Sequence, residues 1–123
     1  MRDERGSVSL VVAALAAVLL VLAMGEADLV RVFNAAAKAQ TAADAAALAA
    51  AQALAIPEGS GTPEELASEY AARNGAVLES CGCDTGTFEA TVTVRVPLAQ
   101  LFLLGGDRSV VAEARAVVDL PSI

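Results

Sequence analysis

Two cysteines one residue apart, Cys81-Gly82-Cys83, are the side chains in this sequence best suited to redox or metal chemistry. A catalytic thiol needs a histidine or another cation beside it to hold it as the thiolate. The sequence has no histidine, and the charges nearest the pair, Glu79 and Asp84, are both negative. Cysteines in an exported domain usually pair. A local Cys81–Cys83 disulfide leads, with intermolecular pairing and free thiols or weak soft-metal ligation left open. Extended backbone puts cysteines so spaced near the upper Cα limit for a disulfide, and Gly82 permits a tighter turn. No Gly-rich phosphate loop, zinc-ligand set or Ser/His/Asp grouping occurs. The expectation is a protein that is not an enzyme, with no catalytic, cofactor-binding or metal residues and no cofactor.

The second polar constellation is Glu26, Asp28 and Arg31. Two readings are open. The residues anchor a helix at an interface, with an Asp28–Arg31 pair one turn apart, or they set the helix in register against charged partners in an assembly.

What precedes them explains why an interface is expected. Gly6 to Gly25 carries no formal charge, and its polar side chains, Ser7 and Ser9, both lie at its start. As a helix this stretch is about 30 Å long, the thickness of a bilayer's hydrocarbon layer. Composition agrees: hydrophobic residues make up 56% of the chain but aromatics only 3%, which suits lipid or close helix packing better than a large globular core. A retained span is expected. Cleavage after Ala23-Met24-Gly25, before Glu26, is the alternative and would release a secreted small binding domain. The positive-inside rule favours a cytoplasmic N-terminus. Arg2 and Arg5 offset Asp3 and Glu4, so the whole net charge of −7 lies beyond Gly25. An acidic exported part without a basic cluster argues against nucleic acid as a partner.

From Ala27 to Ala55 no helix breaker occurs before Pro57, and alanine is the best helix former. Asn34, Lys38 and Thr41 form one wet stripe, and Gln40 and Asp44 an i, i+4 pair. Ala36, Ala39, Ala43, Ala46, Ala47 and Ala50 offer a methyl-lined surface on which other helices can approach closely. Thr62-Pro63-Glu64-Glu65 is a helix start with a capping box, and Asn74-Gly75 its end. Period-two alternation follows. Phe88, Ala90, Val92, Val94 and Val96 line one face of a strand, and Val110, Ala112, Ala114, Ala116 and Val118 repeat the pattern. A shorter strand over 76–80 precedes them. The fold class expected is α+β: a long N-terminal transmembrane and Ala-rich helix, a short second helix and a three-stranded antiparallel sheet packed on the 62–74 helix. The division expected is a cytoplasmic leader at 1–6, a transmembrane helix at 7–25, an extracytoplasmic Ala-rich helix at 26–56 and a head at 57–123. Pro97 to Gly106 is too apolar for an ordinary hairpin loop. It reads as a helical turn over the open sheet face, or as a patch meeting the membrane surface or a neighbouring subunit.

The ordered polar positions within the alanines carry a resemblance. Asp28, Arg31, Phe33, Lys38 and Gln40, followed by Ala42-Ala43-Asp44-Ala45-Ala46-Ala47-Leu48-Ala49, resemble the juxtamembrane helix of TadE/TadG-like proteins of the tight-adherence (Flp) pilus assembly system. Arg5-Gly6-Ser7-Val8 is similar to that family's start, and 70–119 resembles its short branch more loosely. The resemblance implies a pilin-like fold and a subunit-packing helix bearing Asp28, Arg31, Phe33, Lys38, Gln40, Asp44 and Leu48. It implies other pilin-like subunits, pilus assembly membrane proteins and membrane lipid as partners, with no small-molecule substrate. It places the chain in the cell membrane as a single-pass protein with its C-terminal domain extracytoplasmic. In the wider pilin group, cleavage follows a glycine and the fifth mature residue is glutamate. Counted from a Gly6–Ser7 processing site that position is Val11, which favours a minor, tip or assembly role over a major pilin. In the short branch, the cysteine after Asn-Gly-Ala pairs with one near the preceding loop. This chain has none there, so the resemblance implies Cys83 as the substitute partner of Cys81.

Overall fold

The computed structural model describes residues 4–59, 61–98, 101–103, 105–106 and 108–121. Residues 1–3, half of the expected leader, lie outside them, as do 99, 100 and 104 of the apolar stretch Pro97 to Gly106.

One helix, α1 (Glu4–Ala55), runs through the whole N-terminal half. Its 52 residues make a rod about 78 Å long. Two very different surfaces share it. From Arg5 to Ala23 every residue is exposed, including Leu10, Leu15, Leu19, Leu20 and Leu22. From Ala35 onward one face is buried, with Ala39, Ala42, Ala43, Ala46, Ala50 and Ala51 wholly inaccessible. The second half of α1 therefore belongs to the core of the head.

Helix α2 (Pro63–Arg73) starts as its sequence dictates. The Thr62 hydroxyl accepts from the Glu65 N–H, and the Glu65 carboxylate accepts from the Thr62 N–H, both at 3.2 Å. Its end is a Schellman motif. Gly75 donates to the Ala72 carbonyl and Ala76 to that of Ala71, with Gly75 at φ +76°. A side chain at Gly75 would suffer that conformation and also meet the Lys38 stem. Leu66 and Tyr70 lie near Ala49 and Ile56, and Gly75 near Lys38, so α2 runs back along α1. Ala67 and Ala71 on its inner face are fully buried. Methyl-sized side chains on both helices allow that closeness.

The sheet is antiparallel with strand order β1-β2-β3, formed by Val77–Cys83, Glu89–Pro97 and Ser109–Val117. Ala90, Val92, Val94 and Val96 are buried as alternation requires. Phe88 precedes the strand and stays 45% exposed. The inner face rests chiefly on α1, with α2 against α1 and β1, which corrects the expectation of a sheet packed on the 62–74 helix. An 11-residue helix is too short to cover three strands, and the alanine face of α1 is the larger apolar surface. Those alanines, expected to await neighbouring subunits, are thus mostly taken by the chain's own head.

Strand β1 is longer than expected and contains both cysteines. Its pairing shifts by one residue between Leu78 and Ser80. That bulge at Glu79 reverses the side-chain parity, so that Leu78, Cys81 and Cys83 all pack against the core. Cys81 and Cys83 are joined by a disulfide, their Cα atoms 5.4 Å apart. On the outer face, Arg95 pairs with Glu79 at 2.9 Å and Arg115 with Glu89 at 2.6 Å. The hydrogen-bonded Arg115 guanidinium holds the Glu89 carboxyl below its ordinary range.

Two outcomes are expected. Ala46→Leu forces a larger side chain into the buried face and destabilises the head by about 1–3 kcal/mol in denaturant titration; Ala37→Leu, on the exposed side, changes stability by less than about 0.5 kcal/mol. For Glu89 the lowered value means that the pair's stabilisation is present above the unfolded carboxyl range and is lost as pH falls through the folded value. NMR titration of the Glu89 carboxyl in Arg115→Gln should show its midpoint moved upward.

Candidate functional site

The site lies where α1 leaves its exposed apolar run. Asp28 is 3% exposed, an expensive position for a carboxylate unless its oxygens are satisfied. They are: Oδ1 accepts from the Phe102 N–H and Oδ2 from the Leu103 N–H, each at 2.7 Å. One turn further on, the Arg31 guanidinium sits over the Phe102 ring, 4.7 Å from its centroid. One turn before, Leu103 packs against Gly25, its Cδ1 about 3.5 Å from where a β-carbon would stand. Gly25, Asp28 and Arg31 thus form a clasp for a loop more than seventy residues away in sequence.

That loop joins β2 to β3. Pro97 faces Ser109 at the end of the ladder, and Leu98 donates to the Arg108 carbonyl at 2.8 Å. Beyond this closing bond Leu101 is buried, while Phe102 and Leu103 remain 59% and 50% exposed. Among the described residues none from 98 to 108 is helical, which corrects the expected helical turn. The amides of Phe102 and Leu103 are committed to Asp28 and are unavailable to carbonyls in their own segment. The loop also reaches α1 instead of lying over the open sheet face.

The other singled-out residues are spread along α1. Gly6 and Ser7 are exposed in its first turns, and Glu26 is exposed at the end of the apolar run. Phe33 is 65% and Leu48 51% exposed. Gln40 donates to Asp44 at 2.9 Å, the pair expected from spacing. Thr41 bonds back to the Ala37 carbonyl, and the Lys38 stem lies beside Gly75. The structure therefore brings Asp28 and Arg31 together with the loop, and leaves Phe33, Gln40, Asp44 and Leu48 on the outer side of the rod. Sequence reasoning marked 97–106 as an apolar patch but missed the bonds of Phe102 and Leu103 to Asp28. The signal for these bonds was an apolar pair inside a loop, together with the carboxylates Glu26 and Asp28 just past an uncharged run.

Residues 6–53 match the Tad family model, described as "Putative Flp pilus-assembly TadE/G-like". The Tad match covers nearly all of α1 and stops two residues short of its end, leaving α2 and the sheet outside. The TadE/TadG-like resemblance therefore holds along the rod, including Asp28 and Arg31. Tad-type pilus assembly and the long apolar helix fit a membrane-anchored chain. No curated protein and no solved structure gives a significant match. Among the described residues no cluster of His, Cys, Asp or Glu could hold a metal ion.

Removing the clasp should be measurable. Asp28→Asn keeps the shape but turns an NH2 toward a backbone N–H, leaving that amide without an acceptor. Hydrogen exchange at Phe102 and Leu103 should accelerate by roughly tenfold or more, a loss of about 1–3 kcal/mol of local stability, while amides of Val92 and Val94 stay protected.

Proposed function

We propose that the chain is a membrane-anchored, pilin-like structural or assembly component of a tight-adherence type pilus or secretion system, acting by helix packing with other subunits and without turnover. The observation that carries this reading is the uninterrupted α1. Its apolar first half is wholly exposed over a bilayer's thickness, and the sequence of nearly the whole rod matches a pilus-assembly family. Water cannot solvate such a surface cheaply, whereas lipid can. In this reading residues 7–25 span the membrane, the N-terminus is cytoplasmic and the head is extracytoplasmic.

The packing surface is narrower than the alanine content suggests. With the alanine face occupied by α2 and the sheet, the contacts left for neighbours on the extramembrane rod include Phe33, Gln40, Asp44 and Leu48. Val11 at the fifth position after Gly6 supports a minor or assembly role, because the glutamate that resemblance associates with docking of regular filament subunits is not there.

A photo-crosslinking residue at Leu48, in the chain expressed with its pilus system, should capture another pilin-like subunit or assembly protein, while one at buried Ala43 should not. Membrane fractions should retain the chain through carbonate washing. A chain released by carbonate, with a mature N-terminus at Glu26 by mass spectrometry, would establish the secreted binding domain instead; a start at Met1 or Ser7 fits the anchored form.

A further inference from the structure

We infer that the tip of the β2–β3 loop, Phe102 and Leu103, is a second membrane contact: a foot seated in the headgroup layer of the bilayer that α1 crosses. The inference rests on the reading of residues 7–25 as the span. It concerns lipid as the occupant of a particular surface, beyond the anchoring helix itself.

Position is the first argument. Leu103 packs on Gly25, the last residue of the uncharged run, so the tip is level with the point where α1 leaves the hydrocarbon. Continuity is the second. Leu29 and Val30, just past Gly25, are 55% and 56% exposed, and Phe102 and Leu103 are exposed to a similar degree. Broken by the exposed Glu26, they prolong the apolar surface of the span by about 7.5 Å along the helix axis, a depth comparable to the interfacial layer on one side of a bilayer.

The chemistry of the backbone is the third. A loop entering an interface carries amides that lipid does not satisfy. Here both tip amides already donate to Asp28, so the loop presents side chains toward the membrane with those amides paired. Arg31, stacked on Phe102, is exposed about 9 Å above Gly25, where phosphate groups lie. The clasp is thus built to hold two apolar side chains outward at one level. A surface meant for water needs no such arrangement.

The chain has no tryptophan, so a single introduced indole reports its own surroundings. Full-length Phe102→Trp and, separately, Leu103→Trp would be reconstituted in phosphatidylcholine vesicles with or without acyl-chain bromination. Leu22→Trp serves as the span control and Phe88→Trp as the distal one. The foot predicts blue-shifted emission at 102 or 103, quenched about twofold by brominated lipid, as for a group about 5–10 Å into the headgroup–acyl boundary. Phe88→Trp should be unaffected, and adding Asp28→Asn should reduce the quenching at 102 and 103. Quenching of Leu22→Trp without quenching at either 102 or 103 overturns the foot and leaves the span standing. A blue shift at 102 and 103 without quenching means that protein, such as a second copy, covers the tip, and also overturns it. Absence of quenching at Leu22→Trp overturns the spanning reading and the foot with it.

Discussion

The dominant constraint on this molecule is that a single unbroken helix must satisfy two solvents. Its first half carries branched aliphatic side chains all round, a surface made for lipid tails. Its second half carries methyl groups on the face toward α2 and the sheet, where the partner is protein. Alanine makes that change possible without a break. It keeps the helix propensity high through the transition, and it lets α2 and the sheet approach closely although the core has few large side chains. Val92 and Val94 are the largest fully buried ones. Cohesion comes from closeness of approach more than from bulk.

Where the two surfaces meet, the structure places its one buried charged side chain among the described residues, Asp28. Hydrophobic packing alone specifies the depth of a contact poorly along a smooth rod. A carboxylate with two fixed acceptors specifies it well, because each oxygen accepts from a particular backbone amide and a slip of one residue would disturb both bonds. Arg31 adds an aromatic contact on the same loop. The head is thus registered on α1 by polar geometry at the end next to the apolar run, and along the rest of the rod by methyl packing.

Much of this was legible in the residues. The capping box at Thr62 and Glu65, the Asn74-Gly75 end and the alternation over 89–97 are short-range signals, and each produced the element it announced. The partner of the alanine face was less legible, because alanine has no shape that distinguishes a helix of the same chain from one of another. The bulge at Glu79 was hidden for a related reason. A one-residue slip breaks the periodicity that reveals a strand, so β1 seemed to stop before Cys81. The Asp28 clasp joins residues distant in sequence through backbone amides, which every residue except proline possesses. Only the apolar character of Phe102 and Leu103 hinted at it.

The continuity of α1 has a mechanical consequence. With α1 continuous through Gly25 from the apolar half into the alanine half, and with the head packed along the latter, the molecule is a lever without a break. Turning the rod about its axis swings the sheet through the same angle, and tilting it displaces the distal end near Leu54 by the largest distance. Whatever grips the rod below thereby aims the head above.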